Sequence, residues 1–190
     1  MYLRTSSIVL ILLNNMENVV LVDKSDQPVG LMEKIQAHKE GKLHRAFSVL
    51  IFNDKGEMLI HKREKNKYHC GGLWTNACCS HPRENESPEE AAKRRLKEEM
   101  GFTTNVEFVD SFIYKAEFEN GLTEHEFDHL FIGKFNSNPK PNPSEVEDWK
   151  YVSIVKLQKD INEKPENFTA WFITIVNEHL NNALKKLSHV

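Results

Sequence analysis

A strongly marked helix in the middle of the chain, "SPEEAAKRRLKEEMG" from Ser87 to Gly101, is the feature that most constrains the fold. Ser87 is a favourable N-cap, and Pro88 suits the first helical position. Glu90 completes a capping box with Ser87, and Gly101 is typical of a helix end. The helix separates two halves of the chain that are otherwise rich in strand signals.

Segments rich in β-forming residues lie on both sides of the central helix. The predicted strands are 18–23, 45–53, 58–63, 106–115, 124–135 and 149–154. The second and third are separated by the turn "DKGE" and are expected to form a hairpin. A short helix is predicted within 31–42, ending at Gly41, and "ENFTAWFITIVNEHLNNALKKL" predicts a longer one near the C-terminus. This order of elements predicts an α/β or α+β sandwich.

The composition is typical of a globular domain with its own core. The chain has 190 residues, 39% hydrophobic and 28% charged, with a formal net charge of -3. This balance gives no reason to expect binding to nucleic acid or to an anionic membrane. The apolar run 8–13 is too short for a signal peptide or a membrane span. We therefore expect residues 1–15 to be an extension, and 16–190 to form a single domain.

The stretch "WTNACCSHP", Trp74 to Pro82, lies in a long irregular segment, 64–86, and long ordered loops are commonly functional. Adjacent cysteines such as Cys78 and Cys79 rarely form a disulfide with each other, and the chain has three cysteines in all. This usage favours reduced thiols and a cytoplasmic protein. The stretch is compatible with half of a metal site, a nucleophile, a redox pair or a packed turn. A structural zinc site would need a second cysteine knuckle, which the sequence lacks.

Two carboxylates and three histidines form a candidate metal set. Glu124 and Glu126 are two residues apart on a predicted strand, so their side chains lie on one face. Burying two acids is costly unless a cation lies between them, although a solvated strand face would also explain this segment. His38, His44 and His81 would complete a set suited to Zn²⁺ or Mn²⁺. Because the five residues are scattered along the chain, their spacing leaves open whether they meet.

The central helix also carries a damaged copy of a known motif. The positions of Glu86, Glu98 and Glu99 resemble the Nudix box of diphosphate hydrolases. Ser80 stands where the box opens with glycine, and Arg95 stands at a glutamate that holds metal in the hydrolases. A guanidinium is always cationic, so it binds phosphate rather than a metal ion.

Taken together, these motifs resemble the type 1 isopentenyl diphosphate isomerases, which share the Nudix fold, from about Asn18 to the terminal helix. The segments that carry the resemblance are "GLMEKIQAH", "LHRAFSVLIFN", "LWTNACCSHP", "ESPEEAAKRRLKEEMG" and "EHEFDH". The resemblance implies an α/β/α sandwich with a mixed sheet and an extra terminal helix. It also implies interconversion of isopentenyl and dimethylallyl diphosphates by proton transfer through a tertiary carbocation.

The resemblance further implies a role for individual residues. Cys79 matches the catalytic cysteine, Glu126 the second acid–base residue, and Tyr114 a tyrosine that supports Glu126. Trp171 matches an aromatic residue that closes the pocket over the hydrocarbon. The implied ligands of a tightly held Zn²⁺ or Mn²⁺ are His38, His44, His81, Glu124 and Glu126. Glu99 is implied to hold a Mg²⁺ that binds with the substrate. The residues implied at the diphosphate are Lys34, Arg63, Lys67, Ser80 and Arg95.

Two departures from the family pattern concern the loops around the pocket. Family members often carry proline before the Trp-Thr-Asn motif, where this chain has "HCGGLWTN", and also where Ala170 precedes Trp171. The alternatives are a Nudix hydrolase acting on a nucleotide, disfavoured by Arg95, and a Nudix-like binding module without chemistry. We expect a small-molecule diphosphate as the partner, without nucleic acid or membrane, and a monomer or weak homodimer.

Overall fold

The protein is described by a computed structural model that covers residues 17–187. The predicted extension, 1–15, lies outside these residues. Nine strands form one sheet: β1 (Asn18–Val22), β2 (Pro28–Glu33), β3 (His44–Phe52), β4 (Glu57–Arg63), β5 (Trp74–Thr75), β6 (Cys78–Ser80), β7 (Val106–Glu117), β8 (Thr123–Lys134) and β9 (Val146–Ser153). The helices are α1 (Lys34–Glu40), α2 (Pro88–Arg95), α3 (Ile154–Glu163), α4 (Ala170–Thr174) and α5 (Leu180–Leu187).

Strand β3 is the centre of the sheet. It pairs in parallel with β8 along its whole length, from His44 opposite Glu126 to Phe52 opposite Lys134. Its other pairings, with β1, β6 and β4, are antiparallel and follow one another along the strand. The β4 pairing confirms the predicted hairpin. One mixed sheet therefore joins segments far apart in sequence.

Successive residues of β3 belong to two different cores because side chains alternate across a strand. Leu50 packs in the cluster that contains Phe172 and Ile175, from the C-terminal helical segment. Ile51 packs in the cluster that contains Leu96, from the central helical segment. Helices thus cover both faces of the sheet, which confirms the predicted α/β/α sandwich with a terminal helix.

The central helix follows the sequence prediction at both ends. Ser87 and Glu90 form the reciprocal capping box, and Pro88 is at the start. The last turn, Leu96–Met100, is a π-helix and ends at Gly101, whose φ is 75°. A Cβ at Gly101 would lie 2.1 Å from the Lys140 carbonyl oxygen, so glycine is needed here for space as well as conformation.

Several local predictions differ from the structure. Residues 31–33, predicted as helical, belong to β2, and α1 begins only at Lys34 because the Glu33 carboxylate accepts hydrogen bonds from Ile35 N and Gln36 N. The sequence pattern did not predict β2 or α3, nor the short strands β5 and β6 within the segment expected to be irregular. The terminal helical segment starts at Ala170, after a 3₁₀ turn at Pro165–Asn167. Within 17–187, no helix combines the length and apolar character that crossing a membrane requires.

Candidate active site

The strand register brings the candidate site residues to one place. His44 at the start of β3 is opposite Glu126 on β8, and Cys79 on β6 is opposite Ser48 on β3. A cavity of about 60 Å³ opens there. Eleven residues expected from the sequence line it: Lys34, Arg63, Lys67, Cys79, Ser80, His81, Arg95, Glu99, Glu124, Glu126 and Trp171. The other three, His38, His44 and Tyr114, are buried beside it.

Three imidazoles and a carboxylate form a compact buried cluster. His81 Nε2 lies 3.0 Å from Glu126 Oε1 and 3.2 Å from His44 Nε2. His44 Nε2 is 3.6 Å from the same Glu126 oxygen. One ligand atom from each of these residues and from His38 lies within 4.8 Å of the others. This packing of nitrogen and oxygen donors is the arrangement that a divalent ion requires.

The outer hydrogen bonds of the imidazoles also fit a metal ion. His38 Nδ1 is 2.7 Å from the Lys34 carbonyl oxygen, and His44 Nδ1 is 2.8 Å from that of Lys42. Each bond fixes Nδ1 as the donor and leaves Nε2 as a lone-pair ligand. The buried His38 Nε2 has no hydrogen-bond partner in the part of the chain that the structure describes. An ion bound here would satisfy this orphaned nitrogen, so the residues fit a divalent metal.

The two glutamates of β8 have different surroundings. Burial and the neighbouring Glu126 charge raise the pKa of Glu124 well above its usual range. Burial acts in the same direction on Glu126, but the adjacent imidazoles of His44 and His81 outweigh it and hold its pKa well below the usual range. Glu124 lies in a second ligand group, with His38 and His69, rather than in the group around Glu126. The five expected ligands therefore meet, but not as one compact set.

Tyr114 supports a different carboxylate from the one that the resemblance implied. Its hydroxyl donates a hydrogen bond to Glu124 Oε2 at 2.7 Å, not to Glu126. The expected Tyr114–Glu126 contact was therefore wrong. Tyr114 is the cross-strand partner of Glu126 by backbone position. Its long side chain nevertheless reaches the diagonal neighbour two residues along β8, which is within range of an aromatic side chain.

The adjacent cysteines face opposite sides of the sheet. Cys78 is fully buried in the core that contains the central helix, whereas Cys79 packs towards the other core and lines the cavity. Burial raises the pKa of the Cys79 thiol well above its ordinary value, with Arg63 opposing the shift. Trp171 is 3% exposed, and its indole nitrogen donates to Asn76 Oδ1 at 3.2 Å. The thiol and the indole thus line the same cavity.

The cavity also contains a cation without a neutralising partner. The Arg63 side chain is buried, and its Nε has no hydrogen-bond partner among the described residues. No carboxylate in 17–187 forms an ion pair with its guanidinium, although Nη2 donates to the His69 carbonyl oxygen at 3.4 Å. A buried unpaired cation is costly, so this arrangement is typical of an anion site.

The three other basic groups of the cavity are paired with acids, Lys34 with Glu17 at 3.1 Å. Lys67 forms an ion pair with Glu145, and Arg95 Nη2 lies 2.6 Å from Glu99 Oε1 and 3.5 Å from Glu145 Oε1. Burial raises the pKa of Glu99, and the Arg95 charge opposes the shift. Charged partners of both signs thus surround the place where a diphosphate and its metal ion could bind.

Sequence reasoning missed four residues that line the cavity: His61, Tyr68, His69 and Glu145. Burial lowers the pKa values of His61 and His69 to about 3, so both imidazoles are neutral near pH 7. Tyr68 and His69 belong to the long loop that was singled out as functional, which is the signal that could have found them. Nothing in the local sequence around Glu145 distinguishes it from other surface acids.

Comparison with solved structures identifies the fold. A protein from Deinococcus radiodurans superposes with a TM-score of 0.71 at 17% identity, covering 85% of this chain and 98% of its own. A MutT protein from Methanosarcina mazei Go1 gives a TM-score of 0.59 at 21% identity, covering 71% of this chain and 91% of its own. At these identities the likeness shows the fold alone.

Comparison of sequences identifies the family. The NUDIX domain family matches residues 42–172. A Photorhabdus laumondii protein named isopentenyl-diphosphate Delta-isomerase 2 is 51% identical over 85% of this chain and 91% of its own length. Proteins named isopentenyl-diphosphate Delta-isomerase from Burkholderia multivorans and Serratia proteamaculans are 46% and 45% identical, over 82% and 85% of this chain and 89% and 90% of theirs. The chain therefore belongs to the NUDIX domain family and, within it, to the isopentenyl-diphosphate Delta-isomerases.

Proposed function

We propose that the protein interconverts isopentenyl and dimethylallyl diphosphates by proton transfer, as its relatives' names indicate for them. The observation that carries the proposal is that Cys79 and Glu126 line the same cavity as the unpaired guanidinium of Arg63 and the indole of Trp171. Two groups able to exchange protons, an anion site and an aromatic wall are what a five-carbon alkene diphosphate needs.

The diphosphate binds to the basic side of the cavity. Arg63 lacks an anionic partner among residues 17–187, and Lys67 and Arg95 can exchange their carboxylate partners for phosphate oxygens. Lys34 and Ser80 also line the cavity and contribute a charge and a polar group. Glu99 provides a carboxylate for the Mg²⁺ that accompanies the substrate.

The hydrocarbon end undergoes the chemistry. One of Cys79 and Glu126 gives a proton to the terminal alkene carbon, which leaves a tertiary cation on the branched carbon. The other removes a proton from the carbon on the diphosphate side, and the new double bond forms there. One proton enters and one leaves, and the diphosphate stays intact. The indole face of Trp171 stabilises the cation by roughly 2 kcal/mol or more, and the buried pocket excludes water that would trap it.

A divalent transition metal, Zn²⁺ or Mn²⁺, is proposed to bind at the buried cluster of imidazoles and carboxylates. The residues that would bind the ion are His38, His44, His81, Glu124 and Glu126. When bound, the ion supplies a fixed positive charge that keeps the neighbouring carboxylates ionised. The imidazoles of His81 and His44 pack against the Glu126 carboxylate, with Nε2 atoms 3.0 and 3.6 Å from Oε1, and Tyr114 orients Glu124 by its hydrogen bond.

Hydrolysis of a nucleotide diphosphate is disfavoured by Arg95. The guanidinium occupies the glutamate position of the Nudix box and forms ion pairs with Glu98 and Glu99. It therefore neutralises acids that a hydrolase would use to hold metal ions. Free thiols at Cys70, Cys78 and Cys79 suit a reducing cytoplasm. A small-molecule substrate requires no macromolecular partner, and we expect a monomer or a weak homodimer.

The experiment is NMR of the purified full chain with isopentenyl diphosphate and Mg²⁺ in D₂O. Proton spectra follow the alkene, and phosphorus spectra follow the diphosphate. We expect dimethylallyl diphosphate to appear, with deuterium entering the carbon skeleton and the diphosphate unchanged. Release of phosphate without a new alkene would instead favour the hydrolase. No change in either spectrum, with Zn²⁺ or Mn²⁺ added, would favour a binding module without chemistry.

A further inference from the structure

His69 is a buried imidazole that points into the metal cluster, although no sequence motif assigned a role to it. The side chain is 7% exposed. Its Nε2 lies 3.3 Å from Glu124 Oε1. One ligand atom from each of His69, Glu124 and His38 lies within 4.8 Å of the others. These three residues are therefore grouped as closely as those around Glu126.

The two groups of ligands describe one centre because they share His38. His38 Nδ1 is engaged with the Lys34 carbonyl oxygen at 2.7 Å, so only Nε2 is available to a metal. An ion bound to that nitrogen is close to both groups at once. We propose that His69 is an additional ligand of the metal centre, which four imidazoles and two carboxylates then hold. This inference rests on the metal site included in the proposed function.

The local environment does not account for His69 as an ordinary core residue. Its Nδ1 is buried without a hydrogen-bond partner among the described residues, and Nε2 faces Glu124, which Tyr114 already supports. Packing fixes the ring, since it stacks on Phe118 with centroids 5.1 Å apart and meets the Trp171 ring edge-on at 6.0 Å. A rigidly held imidazole with one unsatisfied nitrogen and the other facing a carboxylate is typical of a ligand.

The loop that carries His69 is built to hold one conformation. Cys70, the next residue, has a φ of 52°, which is uncommon for a residue other than glycine. A Cβ at Gly71 would lie 2.3 Å from the Lys65 carbonyl oxygen, so only glycine fits this close approach. The Asn120 side chain also donates to the Tyr68 carbonyl oxygen at 3.0 Å. This construction fixes the backbone on both sides of the imidazole.

Ligation by His69 would connect the metal centre to the diphosphate site. Arg63 Nη2 donates to the His69 carbonyl oxygen, and Lys67 lies two residues earlier in the same loop. Fixing the imidazole on the metal therefore also fixes the backbone beside the two cations. We expect the metal-loaded protein to bind inorganic pyrophosphate more tightly than the apoprotein, and the difference to shrink in His69→Ala.

The test uses the full chain loaded with Zn²⁺. A crystal structure with anomalous data at the zinc edge is expected to place a His69 nitrogen about 2.0–2.1 Å from the ion. Competition with a chromogenic chelator is expected to show zinc affinity lowered by at least about 10-fold in His69→Ala. His129→Ala is the matched control because this imidazole pairs with Asp26, outside the cluster, and its zinc affinity should equal that of the wild type.

The position of the ion in the wild-type protein decides the inference even if His69→Ala does not fold. A His69 nitrogen more than about 3 Å from the zinc, or no zinc at the cluster, overturns it. Isomerase turnover is measured by NMR on the same protein. Ligation by His69 without turnover would contradict the proposed reaction and leave the ligand assignment standing. Turnover with an ion held by only three imidazoles, without His69, would support the proposed reaction and overturn the ligand assignment.

Discussion

His44 on β3 and Glu126 on β8 are direct partners across a parallel strand pair, and His44 Nε2 lies 3.6 Å from a Glu126 oxygen. This register decides whether the buried cluster forms. A slip of one residue would turn Glu126 to the opposite face of the sheet, since successive side chains alternate. The same strand, β3, pairs with β6 and so places Cys79 beside the cluster. The central strand β3 therefore positions both the buried cluster and Cys79.

The adjacent cysteines provide a matched pair of variants. Cys79→Ala should lower turnover by roughly 10²-fold or more, because the variant removes a proton-transfer group from the cavity. Cys78→Ala should keep turnover and lose only about 1 kcal/mol of stability, since this thiol packs in the opposite core. Turnover is measured by NMR and stability by urea unfolding. Near-normal turnover in Cys79→Ala would contradict its catalytic role.

The sequence predicted what depends on local pattern. The capping box at Ser87 and the helix end at Gly101 are determined by neighbouring residues, and both are confirmed. The meeting of His44 with Glu126 depends on sheet pairing, which spacing along the chain does not reveal. The Tyr114 hydroxyl bonds to Glu124 rather than to its cross-strand partner Glu126, because backbone register does not fix where a long side chain ends. Packing in an irregular loop placed His69, and no periodicity marks such a residue.

A substitution at Arg63 should affect anion binding and the free energy of unfolding in different ways. Arg63→Gln should weaken the binding of inorganic pyrophosphate with Mg²⁺ by about 10-fold or more, since a charged hydrogen bond contributes roughly 1.5–3 kcal/mol. Its free energy of unfolding should stay unchanged or rise, because the variant removes a buried charge without a carboxylate partner in 17–187. Isothermal titration calorimetry and urea unfolding give the two quantities.

Arg45→Gln is the control for Arg63. Its guanidinium donates to the Asp26 side chain at 2.7 Å and to the Asp26 backbone at 2.6 Å, outside the cavity. We expect this variant to lose about 1–2 kcal/mol of stability and to bind pyrophosphate normally. If both variants changed affinity equally, Arg63 would have no specific part in binding the anion.

Tyr114→Phe tests the observed support of Glu124. Removing the hydroxyl leaves Glu124 Oε2 without its 2.7 Å hydrogen bond. We expect metal affinity to fall by about 10-fold or more, as is common for residues that orient ligands. Tyr151→Phe removes a hydroxyl bonded to the Phe135 carbonyl oxygen, far from the cluster in the fold. That control should lose about 1 kcal/mol of stability with unchanged metal affinity, measured by chelator competition. Equal metal affinities in both variants would mean that Tyr114 does not support the site.

Metal removal should lower both turnover and thermal stability. An ion that binds only the folded protein stabilises it by mass action, so dialysis against a chelator should lower the melting temperature. Adding back Zn²⁺ or Mn²⁺ should restore the melting temperature and the turnover together. His38→Ala should abolish this response, because it removes the imidazole shared by both ligand groups. His179→Ala should retain it, since His179 pairs with Asp110 at another part of the surface. Elemental analysis of the same samples shows whether the chelator has removed the ion. If the ion is gone but the melting temperature and the turnover are unchanged, the metal site is contradicted.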